Sequence, residues 1–177
     1  PRERVLGSGT VLDSARLRSL LAEHCRVDPR NVHALVIGEH GDSELAAWSA
    51  ASIGSTPLKM YCRGESCEFL GRYPELLEQV KRAAYEIIKR KGATFYGIGF
   101  ALVQITESVL RDEHRVLPVS MVHPEVEGIR DVALSLPCLV GRAGVERVLP
   151  LDLDGEERAA LRHSAEVIKS TLESAHV

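Results

Sequence analysis

Apolar residues recur at intervals of three and four along much of the chain, which is the spacing of amphipathic helices. In the clearest case the apolar stripe runs from Leu76 to Ile88, between a proline suited to a first helical turn and a glycine suited to a helix end. Four helices are predicted, from Thr10 as N-cap to about Cys25, from Pro74 to Gly92, from there to about Arg111, and from Asp154 to about Ala175.

Runs rich in β-branched residues predict strands over residues 32–37, 115–122, 132–140 and 145–149, and His123-Pro124-Glu125 is predicted to link the second and third. Most of these strands lie late in the chain, between helices, which is an order typical of α+β proteins. The predicted fold class is therefore α+β, with long helices packed on a largely antiparallel sheet.

Composition narrows the class of protein. The 177 residues are 45% hydrophobic and 27% charged, as in an ordinary globular domain, and the net charge of -3 without a basic block argues against a nucleic-acid partner. The longest apolar run, residues 96–103, is well short of the ~20 residues of a membrane span. The first four residues are too polar for a signal peptide, and four scattered cysteines suggest reduced thiols, so we expect a cytoplasmic location. These cysteines are Cys25, Cys62, Cys67 and Cys138.

Three polar residues form a candidate chemical set. His40 lies in a glycine-punctuated loop directly after an apolar strand, and Asp13 and Arg16 are three residues apart on the first helix. A carboxylate bonded to one imidazole nitrogen favours the imidazolium and leaves the other nitrogen to exchange a proton. A neighbouring guanidinium can bind a substrate carboxylate at two points. By spacing alone this set is only suggestive.

Three segments carry a resemblance to a known family: GSGTVLDSARLR at 7–18, IGEHGDSE at 37–44 and GATFYGI at 92–98. They resemble the L-lactate dehydrogenase family of the lactate/malate dehydrogenase superfamily, and the second is that family's active-site motif. The resemblance implies a single substrate-binding and catalytic domain, 1–177, equivalent to the family's C-terminal half. We expect the family's N-terminal NAD-binding Rossmann domain to be absent from this chain, because no G-x-G-x-x-G follows a strand.

The same resemblance implies roles for individual residues. His40 would exchange a proton with the substrate oxygen as pyruvate and L-lactate interconvert with NAD, Asp13 would orient His40, and Arg16 would hold the substrate carboxylate. Thr94 would shape the substrate pocket. The resemblance implies no metal ion in the site. Around the cofactor, Ser8 would bond the nicotinamide amide and Ile98 would pack on the ring.

A regulatory site and an assembly also follow from the resemblance. Bacterial members that respond to fructose 1,6-bisphosphate bind it through an Arg and a His at a subunit interface, which correspond here to Arg18 and His33. The family forms homotetramers through this half. Tyr85 lies off the apolar stripe of its helix and is predicted to be exposed, with phosphorylation as a family-level expectation.

Two alternatives stay open at this stage. The first is malate dehydrogenase of the same superfamily. Two features favour lactate over malate as the substrate: Glu39 directly before His40, and Thr94 in the pocket. The second is a non-catalytic module that only oligomerises.

Overall fold

A computed structural model describes residues 1–62 and 73–175. It is an α+β fold with antiparallel pairing throughout the described sheets, which confirms the predicted class. The described helices are α1 (Val11–Cys25), α2 (Leu58–Tyr61), α3 (Tyr73–Lys91), α4 (Tyr96–Leu110) and α5 (Gly155–Ala175), with short 3-10 turns at Arg2–Arg4, Pro29–Asn31 and Trp48–Ala50.

All four predicted helices are present, and their ends have simple causes. After α1 the backbone of Arg26 is left-handed (φ 52°) and its N–H returns to the Ala22 carbonyl. After α3, Gly92 takes φ 78°, which costs a glycine little. Thr10 does precede α1, but its side chain makes no cap bond. Its hydroxyl instead donates to the Val36 carbonyl, because α1 begins against a strand.

The strands form four small sheets. Three strands pair in the order β1 (Val32–His33), β4 (Ser52–Ile53), β5 (Thr56–Pro57), and three in the order β10 (Gly144–Val148), β9 (Cys138–Gly141), β6 (Arg115–Leu117). The two remaining pairs are β2 (Val36–Ile37) with β3 (Leu45–Ala46), and β7 (Ser120–Val126) with β8 (Ile129–Ser135).

The predicted strand boundaries were wrong in four places. Residues 32–37, 115–122 and 132–140 were each predicted as one strand, and each forms two strands that belong to different sheets. His123-Pro124-Glu125 lies inside β7 instead of linking two strands, and the reversal comes at Glu127 and Gly128, both with positive φ, as a tight hairpin turn requires. Pro124 is tolerated because it falls between the paired residues His123 and Glu125 and is not itself paired with a residue of β8.

The buried residues of the described ranges form three clusters, and α1 contributes to two of them. The first joins α1 and α3 through Leu17, Leu21, Leu76 and Val80. The second packs α5 on β8, and the third packs α4 and the start of α1 on the β10-β9-β6 sheet. Burial of apolar area on this scale is the main stabilising term of a domain. Burial in the first and third clusters also holds α1 next to β2, the strand that leads to His40.

Several apolar side chains lie outside these clusters. The predicted stripe of α3 is buried only at its start, since Ile87 and Ile88 are exposed. Leu172 of α5 is exposed as well, because the buried contacts of α5 end near Ile168. Exposed apolar groups concentrate on and before α4, where they are Phe95, Tyr96, Phe100, Leu102, Val103 and Leu110. None of the helices in the described ranges has the length and apolar composition needed to cross a membrane.

Candidate active site

Two hydroxyl groups fix the first helix against the strand that carries the histidine loop. The Thr10 hydroxyl donates to the Val36 carbonyl, and the Val36 N–H donates to the Ser14 hydroxyl at 2.9 Å. Both groups are fully buried on one side of α1. Asp13 and Arg16, which lie on the same part of this helix, are therefore held beside the loop that follows β2.

His40 and Asp13 meet at this junction. The distance from His40 Nδ1 to Asp13 Oδ2 is 2.7 Å, and the Asp13 side chain is 3% exposed whereas that of His40 is 58% exposed. A buried carboxylate that accepts a bond from Nδ1 fixes the orientation of the ring. The second ring nitrogen, Nε2, is left for a group arriving from solvent.

Arg16 completes the set that the sequence predicted. Its Nη1 lies 3.4 Å from Asp13 Oδ1, so that one carboxylate touches both cations. The guanidinium lines the same cleft as His40, with Lys81 and Tyr85 of α3 on the opposite wall. The cleft thus combines a proton-exchanging imidazole with a planar cation that is suited to a carboxylate. Tyr85 is exposed, as predicted.

The hydrogen bond to Asp13 raises the pKa of His40 above its usual value of 6.5, although partial burial and the charge of Arg16 oppose the shift. The negative charge of Asp13 acts in the same direction as the hydrogen bond. The imidazolium is therefore present at a higher pH than in an isolated histidine.

Glu44 is a member of the cluster that sequence reasoning missed. Its side chain is buried, and burial raises its pKa from 4.5 to about 8, with the charge of Asp13 adding to the shift. At neutral pH the Glu44 carboxyl is therefore mainly protonated. The available signal was its place at the end of IGEHGDSE, directly before the buried strand β3.

Asp13, His40 and Glu44 could also be considered as metal ligands, because one ligand atom from each lies within 4.8 Å of the others. Binding a cation there would require a neutral imidazole and an ionised Glu44. The raised pKa values of both groups favour protons instead. That no metal takes part stays a prediction. A second such group, Asp112, His114 and Glu146, is exposed.

Residues 10–176 match the family model described as the lactate/malate dehydrogenase α/β C-terminal domain. The chain belongs to this family.

Relatives support the lactate branch of the family. Proteins named L-lactate dehydrogenase from Kosmotoga olearia and from Thermoanaerobacter strain X514 are 51% and 53% identical over 177 and 175 residues. The matches cover 98% of this chain in both cases, but only 55% and 56% of the relatives. The chain therefore spans about half the length of the relatives it matches.

Solved structures agree in fold. A lactate dehydrogenase named MGS-M5, from a Medee basin deep-sea metagenome library, has a TM-score of 0.94 and 39% identity, over 100% of this chain and 57% of its own. The L-lactate dehydrogenase of Clostridium thermocellum has a TM-score of 0.88 and 43% identity, over 98% and 57%.

The other substrate- and cofactor-binding residues assigned from the family resemblance are not among the described residues that line the cleft. Thr94 is half-buried in the link between α3 and α4, and the described residues that line the cleft do not include it. Ser8 precedes α1, and its carbonyl accepts the Val11 N–H. Ile98 of α4 is half-buried against the third apolar cluster. Their roles toward substrate and cofactor stay predictions.

Arg18 and His33 line one cavity on the opposite side of α1 and β1. Arg30 and Arg115 line it as well, and its described lining contains neither Asp nor Glu. Arg18 and His33 thus line a cavity separate from the cleft of His40. Their role toward a bisphosphate stays a prediction.

Proposed function

We propose that this chain is the catalytic domain of an NAD-dependent L-lactate dehydrogenase, which interconverts pyruvate and L-lactate. The observation that carries the proposal is the contact of one buried carboxylate, Asp13, with both His40 and Arg16. The complete enzyme would consist of this domain and a nucleotide-binding Rossmann domain. The names of the relatives favour lactate over malate as substrate.

Four residues of the cleft would each have a separate role in the reduction of pyruvate. Arg16 binds the carboxylate of pyruvate through its planar fork and so places the neighbouring carbonyl at His40. His40 donates the proton of Nε2 to the carbonyl oxygen, and Asp13 stabilises the imidazolium until that transfer. Glu44, protonated at neutral pH, adds no charge that would repel the substrate carboxylate.

The dinucleotide would lie against the surface where Ser8 and Ile98 are half-buried. The exposed part of the apolar Ile98 side chain, whose other part packs on the third apolar cluster, suits one face of a flat ring. A Cβ added at Gly99 would meet no atom within 4 Å, so the helix surface is open beside it. The chemistry that NAD supplies when bound is hydride transfer at the substrate's carbonyl carbon.

Assembly and location complete the proposal. The exposed apolar groups of α4 form a surface that would be covered by the nucleotide-binding domain and by other subunits of a homotetramer. A cytoplasmic location is consistent with the free thiols of Cys62 and Cys138, while Cys67 lies outside the described residues.

Turnover by the complete enzyme tests the proposal. We expect NADH oxidation with pyruvate at a kcat/KM at least 10-fold above that with oxaloacetate, because Arg16 neutralises one carboxylate and the described cleft pairs no second arginine with it. A preference for oxaloacetate would identify a malate dehydrogenase, and no turnover of either would favour the non-catalytic module.

We also propose that the cavity with Arg18 and His33 binds fructose 1,6-bisphosphate as an activator. Four basic side chains line it, and Arg30 and Arg115 have acidic partners, Asp28 and Glu113, outside the cavity lining. Two phosphates would find complementary charge there, and two copies of the cavity would face each other across a two-fold axis of the tetramer.

Pyruvate saturation with and without the bisphosphate tests this second proposal. We expect the bisphosphate to lower the apparent KM about 5- to 100-fold, as coupled sites typically do, and Arg18→Gln to abolish the response. Arg130→Gln, which removes an exposed guanidinium on the distant β7–β8 hairpin, should respond like wild type. An equal response in Arg18→Gln would leave Arg18 and His33 as surface charges.

A further inference from the structure

One serine of helix α5, Ser164, forms hydrogen bonds to the loop that carries His40. Ser164 lies in α5 with 0% of its surface exposed. Its hydroxyl oxygen accepts the Glu39 N–H at 2.7 Å, and its own proton is free to bond the Ser43 hydroxyl oxygen, 3.1 Å away. These two residues flank His40, so one side chain holds both sides of the loop.

Gly38 allows this close approach. A Cβ at position 38 would lie 2.6 Å from Ser164 Oγ, and the backbone there has φ +91°. Within the loop, the Ser43 hydroxyl also bonds the Glu39 carboxylate. The backbone on either side of His40 is therefore tied both to itself and to a fully buried group 125 residues away.

We infer that Ser164 is a positioning residue for the reaction: it fixes the His40 loop so that Nδ1 meets Asp13 and Nε2 faces the substrate. This inference rests on the proposed function. Ser164 bonds the loop only through Glu39 and Ser43, so it acts through them and not on the reacting atoms.

Another buried serine provides a matched control. Ser108 of α4 is also 0% exposed, and its hydroxyl also has two partners: it donates to the Val140 carbonyl at 2.7 Å and accepts the Arg115 N–H at 3.3 Å. Its partners belong to β9 and β6, away from the cleft. Ser164→Ala and Ser108→Ala thus remove the same group at equal burial, and only the first loosens the loop.

Kinetics of the complete enzyme form the first measurement. For Ser164→Ala we expect kcat with pyruvate to fall about 10- to 100-fold, the scale of a misplaced catalytic group, with NADH affinity unchanged. Ser43→Ala, which leaves the Glu39 bond in place, should give a smaller fall, and Ser108→Ala should keep kcat within twofold. A kcat within twofold in Ser164→Ala as well would overturn the inference.

The second measurement does not depend on turnover. The rate at which diethyl pyrocarbonate modifies His40, followed by mass spectrometry across pH, gives the pKa of this imidazole. The titratable groups around it are retained in both variants: Asp13 and Arg16 of α1, Asp42 and Glu44 of the loop, and Lys81 and Tyr85 of α3. We expect the pKa to shift toward 6.5 in Ser164→Ala and to stay raised in Ser108→Ala.

The two measurements separate the inference from the proposed function. If pyruvate is not turned over but the pKa shifts as expected, the proposed reaction is wrong and Ser164 still positions His40. If pyruvate is turned over and the pKa and kcat of Ser164→Ala match wild type, the reaction stands and Ser164 serves packing alone. An equal loss of kcat and of Tm in both serine variants also overturns the inference.

Discussion

Replacing His40 with Asn in the complete enzyme is expected to lower kcat with pyruvate by at least 100-fold, within the 10²- to 10⁴-fold that one positioned proton donor contributes. Asn preserves a side chain of similar size that can still bond Asp13, but it has no titratable proton to deliver. NADH affinity should change little, because His40 faces the substrate side of the cleft in the proposed arrangement. Stopped-flow turnover and fluorescence titration of NADH measure the two quantities.

A matched control is His114→Asn. His114 is an exposed histidine in the turn after α4 whose left-handed backbone (φ 53°) asparagine tolerates well. It should keep wild-type turnover. If His40→Asn stayed within tenfold of wild type, the acid/base role would have to be assigned to another group.

The pH dependence of kcat/KM for pyruvate is a second test of the role of His40 as proton donor. Because the bond to Asp13 raises the pKa of His40, the reactive imidazolium survives above pH 6.5 and is lost only as the pH passes the raised value. We therefore expect kcat/KM for pyruvate to fall on the alkaline side of 6.5. Were the fall centred below 6.5, the Asp13 contact would not exist in solution.

Replacing Arg16 with Lys is expected to weaken pyruvate binding about 10- to 100-fold, because an ammonium retains the charge but loses the second parallel hydrogen bond to a carboxylate. The Lys side chain can still reach Asp13, so His40 should keep its raised pKa. The measurement is the KM for pyruvate together with the Kd for NADH.

The control for this substitution is Arg82→Lys on α3, where the guanidinium is exposed and pairs with Glu78. It should leave both constants unchanged. Equal weakening of pyruvate and NADH binding in Arg16→Lys would indicate a folding defect rather than the loss of a hydrogen bond to the substrate carboxylate.

The sequence predicts those features that neighbouring residues determine, and it fails for features that depend on contacts with distant parts of the chain. The helices follow from apolar spacing within each segment, and the grouping of His40, Asp13 and Arg16 follows from two contiguous motifs. The strands depend on partners elsewhere in the chain: residues 32–37 divide because Val32 pairs with Ile53 whereas Val36 pairs with Ala46.

The parts of the site that were missed are those created by tertiary burial. Glu44 has no local signature of a raised pKa, which arises when folding buries its side chain and brings the charge of Asp13 beside it. Ser164 sits in a helix that reads as a surface helix with one apolar side, and its partners lie 121 and 125 residues earlier. Neither property can be inferred from a window of neighbouring residues.

The long separation between Ser164 and the His40 loop has a consequence for the order in which the protein is made. Synthesis proceeds from the N-terminus, so α1, β2 and the histidine loop leave the ribosome well before α5. Until the final helix has emerged, the Glu39 N–H and the Ser43 hydroxyl lack their buried partner, and α5 cannot cover β8. The machinery for proton exchange is therefore among the first parts of this chain to be translated and among the last to be completed.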